Sequence, residues 1–176
     1  MQGRLSALTR AHELTRPGLI DPAGKLRSET SLHALISAIF EPYVDEQADV
    51  PARVVIKGCD LMISESAITN VALVLHELAT NAAKYGALSA EGGIIKIDCA
   101  QDDATLRLVW KEAGGPRLGE PPSEEGFGSV LTRQVLVNQF RGKLERTWRR
   151  DGLVVEMEIP LPHVMPRPPA AEGTAS

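Results

Sequence analysis

The strongest constraint on the fold of this chain is a long amphipathic helix predicted near its middle. The helix starts at Ser64 or Ser66 as N-cap, and Gly86 follows its end. Its apolar stripe recurs at helical spacing and consists of Ile68, Val71, Ala72, Leu75, Leu78, Ala79 and Ala82. A one-sided stripe of this kind must be buried against a second layer, so the helix predicts a layered domain.

Short strands arranged as hairpins are predicted around this helix and supply the second layer. Strands are predicted over 53–57, 94–99, 105–110, 143–149 and 153–159, and further helices over 4–16, 32–40 and 129–140. The glycine- and proline-rich segment 113–128 is predicted to be irregular. Consecutive hairpins imply a mixed, mainly antiparallel sheet with helices on one face, that is, an α/β two-layer sandwich.

Composition excludes several classes of protein. A chain of 176 residues with 43% apolar residues has enough material for one domain with a sizeable core. A net charge of −4 and an aromatic content of 4% argue against nucleic-acid binding. No apolar run approaches the roughly 20 residues of a membrane span, and the start is not a signal peptide, so we expect a cytoplasmic protein. Cys59 and Cys99 lack the companions of a zinc site or a disulfide scaffold.

Three polar residues on the long helix depart from what packing requires. Glu77, Asn81 and Lys84 are spaced so that they share one side of the helix, away from the apolar stripe. A carboxylate, a carboxamide and an ammonium group there are suited to accepting a proton, ligating Mg²⁺ and binding phosphate. Taken alone, the triplet is equally compatible with an ordinary solvated helix face, which is the commoner arrangement.

Two glycine motifs add to this triplet. Glu112 ends a predicted strand and is followed by Gly114 and Gly115, a pattern suited to a flat ligand with an exocyclic amine. Gly126 and Gly128 precede a predicted helix, where backbone N–H groups can approach phosphate. Each motif taken alone also fits an ordinary turn.

The order of these motifs is specific. The run HELATNAAKYGALS begins at His76, a WKE triplet begins at Trp110, and GFGS begins at Gly126. In this order they resemble the Bergerat-type ATP-binding domain of bacterial sensor histidine kinases. The His of the first run and the Trp-x-Glu of the second resemble the HWE subfamily in particular. The resemblance covers about residues 4–161.

The resemblance implies roles for the helix residues, with ATP and Mg²⁺ as cofactors. Asn81 would ligate the Mg²⁺ that bridges the nucleotide phosphates. Glu77 would orient water or accept a proton near that metal, as the catalytic carboxylate. Lys84 and Tyr85 would border the phosphates and the nucleotide.

The resemblance also implies roles for the glycine motifs. Glu112 would accept a hydrogen bond from the adenine amine, and Gly114 would let the base approach. Gly126 and Gly128 would lie at the phosphates, with 116–125 as a short ATP lid between the two motifs. Trp110 is expected to pack beneath the site, and His76 has either a packing or a direct chemical role.

In such kinases the phosphoacceptor is a histidine within an HRxKN-like run, on the first helix of a dimerising hairpin. This chain contains no such run. His12, His33, His76 and His163 are the only histidines, and none is followed by that pattern. We therefore expect residues 1–17 to be the remnant of the dimerising helical hairpin, 18–161 to be the catalytic domain and 162–176 to be a disordered tail. The implied partners are a response regulator receiver domain and the phosphoacceptor helix of the same kinase family, with a homodimer through the N-terminal helices possible.

Two other functions remain compatible with the sequence. One is a non-catalytic interaction or phosphotransfer module with a degenerate pocket, against which the intact Glu77, Asn81 and Glu112 argue. The other is a different Bergerat-fold ATPase or an anti-sigma serine kinase, against which the Trp-x-Glu triplet argues. Nucleotide binding would distinguish a histidine kinase from the non-catalytic module. The residue that accepts phosphate would distinguish it from the other ATPase or the serine kinase.

Overall fold

The computed structural model describes residues 29–43, 53–116 and 126–166. The strands are β1 (Glu29–Ser31), β2 (Val54–Gly58), β3 (Met62–Ser64), β4 (Ile94–Gln101), β5 (Thr105–Ala113), β6 (Lys143–Arg149) and β7 (Gly152–Pro160). The helices are α1 (Leu32–Phe40), α2 (Glu65–Lys84) and α3 (Phe127–Gln134), which continues as a π-helical turn over Val135–Gln139. The helix predicted over 4–16 lies outside the described residues.

The main sheet has five strands in the order β2-β4-β5-β7-β6. Its β2–β4 pair is parallel, and the other three pairs are antiparallel. The predicted mixed, mainly antiparallel sheet is therefore confirmed. A two-residue turn at Arg150 and Asp151 joins β6 to β7, as the hairpin pattern predicts.

The helices bury their apolar stripes on one face of this sheet. The stripe of α2 and the alternate residues Ile95, Ile97, Leu106, Leu108 and Trp110 of the central strands belong to a single core. Phe40 of α1 stacks on the Trp110 ring with centroids 5.6 Å apart, which joins the first helix to the sheet. The predicted α/β two-layer sandwich is thereby confirmed.

The opposite face of the sheet carries charged side chains. Arg107 on β5 pairs with Glu158 on β7 at 2.9 Å, and Lys111 on β5 pairs with Asp98 on β4 at 3.1 Å. These pairs are exposed and contribute little stability individually. Their role is to keep this face polar, which sets the direction in which the other face must pack.

The structure differs from the sequence predictions at three places. A two-stranded sheet of β1 and β3 was not predicted, because three-residue strands are too short to show an alternating pattern. The segment predicted to be irregular as far as residue 128 gives way to α3 at Phe127, so the glycines there belong to a helix start. The tail expected from residue 162 is packed as far as Val164, which is fully buried and whose carbonyl accepts a hydrogen bond from the Ser64 amide.

None of the helices within the described ranges is long and apolar enough to cross a membrane.

Candidate functional site

Glu77 and Asn81 form a hydrogen-bonded pair on the C-terminal half of α2. Asn81 Nδ2 donates to Glu77 Oε1 at 3.1 Å, the contact expected from their i,i+4 spacing. Because a carboxylate only accepts, this bond fixes which end of the amide faces Glu77. The Asn81 Oδ1 atom is therefore the end left for a ligand, and an amide oxygen is a ligand type that Mg²⁺ uses.

Gly128 brings the first turn of α3 against the Glu77 carboxylate. A Cβ atom built on Gly128 would overlap Glu77 Oε1, so a larger residue there would require the Glu77 side chain to move from its present position. The Thr132 hydroxyl, buried one turn later, donates to the Gly128 carbonyl at 2.8 Å and stabilises the turn. The N-terminal end of a helix, with its unpaired N–H groups and positive partial charge, thus lies beside the Glu77–Asn81 pair.

Glu112 is a buried carboxylate that accepts two hydrogen bonds. Its side chain is 7% exposed; Oε1 accepts from Trp110 Nε1 at 3.1 Å, and Oε2 accepts from the Ala87 backbone N–H at 2.8 Å. Burial raises the pKa of Glu112, and the two hydrogen bonds oppose that shift. Each oxygen retains a second lone pair, so the group can accept from one further donor.

The Glu77–Asn81–Gly128 group and Glu112 come together at the C-terminal end of α2. Gly86 donates its N–H to the carbonyls of Asn81 and Ala82, at 3.2 and 3.1 Å. A Cβ atom on Gly86 would overlap Glu112 Oε2, so glycine is needed for the backbone to pass over the carboxylate. The segment from Glu77 to Ala87 therefore connects the Glu77–Asn81–Gly128 group directly to Glu112.

The remaining residues predicted for the site lie around these contacts. Lys84 is exposed on the last turn of α2, and Tyr85 is 69% exposed directly after it. Gly114 has φ 74°, a conformation that favours glycine, in the turn after β5. Gly126 is exposed before α3, and an added Cβ there would meet no heavy atom within 4 Å. Of the expected lid, only Pro116 belongs to the described residues.

Trp110 and His76 occupy supporting positions. Trp110 is fully buried between Phe40 and Glu112, so it packs beneath the site, as the sequence predicts. His76 Nδ1 lies 3.5 Å from Thr80 Oγ1, one turn along α2.

The contacts of Gly86 and Ala87 were not predicted from the sequence. Gly86 follows the end of the predicted helix, whereas in the structure both residues lie against the Glu112 carboxylate. Because every residue except proline has a backbone N–H, the residue type at position 87 does not indicate such a donor. Only the WKE and KYG runs together could have suggested the contact with Glu112.

The architecture is that of histidine kinase catalytic domains. The structure matches the histidine kinase domain of a blue-light-activated histidine kinase from Erythrobacter litoralis with a TM-score of 0.63 and 20% identity, covering 90% of this chain and 81% of that domain. It also matches the nucleotide-free catalytic domain of the histidine kinase ThkA with a TM-score of 0.56 and 23% identity, covering 75% of this chain and 94% of that one. At these identities the likeness concerns the fold.

Sequence comparison gives the relationship. The chain is 32% identical over 160 residues to blue-light-activated histidine kinase 1 of Erythrobacter litoralis, covering 90% of this chain and 42% of that protein. It is 32% identical over 164 residues to blue-light-activated histidine kinase of Rhizobium johnstonii, covering 91% and 43%. No family profile matches the chain. The chain is a homologue of part of these histidine kinases and spans about two fifths of their length, which confirms the resemblance to histidine kinases.

Proposed function

We infer that this chain is the ATP-binding catalytic domain of a sensor histidine kinase of the HWE subfamily. The observation that supports this function most strongly is the contact between Gly128 and Glu77. It brings the glycine motif before α3 to the polar face of α2, two features that lie about fifty residues apart in the sequence. A helix N-terminus beside the carboxylate and amide of this face favours a shared ligand that carries phosphate and a metal ion.

The residues present fit an adenine nucleotide. Glu112 offers a lone pair to an exocyclic amine at the bottom of the site, and the start of α3 offers N–H groups and a positive partial charge to phosphates. Lys84 and Tyr85 would border the nucleotide from the exposed end of α2, and Gly114 and Gly126 would leave room for the base and the phosphates.

The residues also fit Mg²⁺. This ion is usually held by one or two protein ligands together with substrate phosphates, and Asn81 Oδ1 would be such a ligand. When bound, Mg²⁺ neutralises charge on the phosphates during phosphoryl transfer. Glu77 would hold the Asn81 amide in the ligating orientation through the 3.1 Å hydrogen bond, and would accept a proton or orient water beside it.

The acceptor in this proposal is a histidine on a helix of the same kinase family, and the next acceptor is an aspartate of a response regulator receiver domain. A histidine kinase of the same fold, ThkA, has been seen in complex with the response regulator TrrA, with a TM-score of 0.56 to this chain. The receiver domain, a homodimer through N-terminal helices and a cytoplasmic location belong to the proposal.

The experiment that tests this function is calorimetric titration of the chain with a non-hydrolysable ATP analogue, with and without Mg²⁺. Saturable binding that needs Mg²⁺ is expected. A folded chain that does not bind at millimolar nucleotide would contradict the proposal and favour a non-catalytic interaction module.

A further inference from the structure

Arg53 lies immediately before β2 and ties together a segment of the chain far from it in sequence. Its half-buried guanidinium donates from Nε to the Gly93 carbonyl at 3.1 Å, and from Nη2 to the carbonyls of Ala87 and Ala90 at 3.2 and 2.6 Å. These three carbonyls belong to the segment 87–93 between α2 and β4. Its own carbonyl accepts from the Ile95 amide at 2.8 Å, which fixes Arg53 to the sheet.

In the segment 87–93, Arg53 supplements two backbone hydrogen bonds that are long. The Ala90 amide reaches the Ala87 carbonyl at 3.3 Å, and the Gly93 amide reaches the Ala90 carbonyl at 3.3 Å. Both accepting carbonyls also take a hydrogen bond from Arg53. A planar guanidinium with five N–H donors suits several carbonyls at once, whereas a lysine ammonium lacks that fork.

Ala87 connects Arg53 to Glu112, the carboxylate expected to bind the adenine base. Its carbonyl accepts from Arg53 Nη2, while its N–H donates to Glu112 Oε2 at 2.8 Å. The residue is 2% exposed, so both contacts are shielded from solvent. A displacement of Ala87 would remove one of the two donors that hold Glu112.

We propose that Arg53 is a positioning residue for base recognition: by holding Ala87 it keeps Glu112 oriented to accept the exocyclic amine of an adenine nucleotide. This role rests on the proposed function. Arg53 acts here through Ala87 and Glu112, so its removal changes the preference for the amine rather than the binding of phosphates.

The test compares two ligands in three variants of the whole chain. The ligands are a non-hydrolysable ATP analogue and its purine riboside counterpart, which lacks the 6-amino group. The variants are Arg53→Met, Arg53→Lys and the control Arg107→Met, which removes an exposed arginine paired with Glu158. Wild type and Arg107→Met are expected to prefer the ATP analogue by about tenfold or more, and Arg53→Met by only about twofold. Arg53→Lys should fall between them.

Hydrogen exchange at the Ala87 amide in the nucleotide-free protein gives a second readout. Exchange should be faster in Arg53→Met than in wild type and unchanged in Arg107→Met. A folded Arg53→Met that keeps the tenfold preference overturns the inference, even if its stability falls. Loss of the fold in both Arg53 variants also overturns it, since Arg53 would then be a general stability residue.

The failure of the proposed function is distinguishable from these outcomes. If wild type binds neither ligand, ATP binding is contradicted, and base recognition by this route with it. The Ala87 exchange rate still reports separately whether Arg53 holds the segment.

Discussion

Glu112 shows how a buried carboxylate is stabilised in an apolar core. Moving a carboxylate out of water carries a large cost unless hydrogen bonds compensate it. Alternation along β5 places Trp110 and Glu112 on the same face, so the indole N–H supplies one donor from two residues away. The backbone of Ala87 supplies the other. The Trp-x-Glu triplet is therefore a local device that holds a carboxylate in place.

This burial predicts a pH dependence of stability. The pKa of Glu112 in the folded protein is raised above its ordinary value of 4.5, mainly by desolvation, so the folded state binds the proton more tightly than the unfolded state. The stability that Glu112 contributes is fully present below pH 4.5 and is lost as the pH rises through the folded pKa.

Urea unfolding of wild type and of Glu112→Gln between pH 4 and pH 8, values chosen to span this range, measures the effect. The free energy of unfolding of wild type should fall relative to that of Glu112→Gln as the pH rises. Glu156→Gln, on the exposed face of β7, is the control and should follow wild type. A constant difference between wild type and Glu112→Gln would contradict a raised pKa.

Asn81 gives a prediction about ligand binding. Asn81→Ala should abolish Mg²⁺-dependent binding of the ATP analogue, because it removes the oxygen expected to ligate the ion. The stability cost should be about 1 kcal/mol, that of one hydrogen bond to Glu77. Calorimetry and thermal unfolding separate the two effects, with the exposed Asn138→Ala as control. A folded Asn81→Ala that retains its affinity would remove Asn81 from the site.

At the residue scale, the sequence predicts side-chain contacts better than backbone contacts. The Glu77–Asn81 pair follows from helical spacing alone, and the structure contains it. The Ala87 amide and the Arg53 guanidinium were not predicted, because any residue type supplies a backbone N–H and arginine is common on surfaces. Only the fold brings these groups to Glu112.

Among the elements, the start of α3 depends most closely on one residue. Alanine favours a helix by about 1 kcal/mol over glycine. At Gly128 an added methyl group would overlap the Glu77 carboxylate, so this side chain would have to move away from α3. Gly128→Ala should therefore stay within about 1 kcal/mol of wild type in stability, and it should weaken binding of the ATP analogue more than tenfold because Glu77 leaves its position.

Gly126→Ala is the matched control, because an added methyl group there meets open space. Its stability should stay within about 0.5 kcal/mol of wild type. Its effect on nucleotide affinity tests whether Gly126 faces the phosphates. A folded Gly128→Ala that binds the ATP analogue as tightly as wild type would contradict a role of the Gly128–Glu77 contact in binding.

The elements that were predicted correctly are those with long periodic patterns. The α2 stripe and the alternating Leu153, Val155, Met157 and Ile159 of β7 are of this kind. The short strands β1 and β3 have no such pattern, and they form because Ser31 caps α1 while its strand pairs with Met62–Ser64. The early start of α3 was missed because glycine composition favours a loop unless a tertiary contact requires glycine.

For the molecule as a whole, the question is which group would receive phosphate. The chain lacks an HRxKN-like run, so we expect no efficient self-labelling with radioactive ATP. An added helical hairpin carrying that run should become labelled in the presence of Mg²⁺, whereas its His→Gln version and a serine substrate should not. Labelling of the serine substrate alone would indicate a serine kinase with the same fold.

The two-stranded sheet of β1 and β3 brings distant parts of the chain side by side. Glu29 pairs with Ser64, and the Ser64 amide donates to the Val164 carbonyl at 2.8 Å, so the first and last described segments flank the same strand. Two segments on either side of one strand lie about 10 Å apart, so a linker of a few residues could join Pro166 to Glu29. The fold should therefore tolerate circular permutation, with new termini opened at the exposed turn between Asp102 and Asp103.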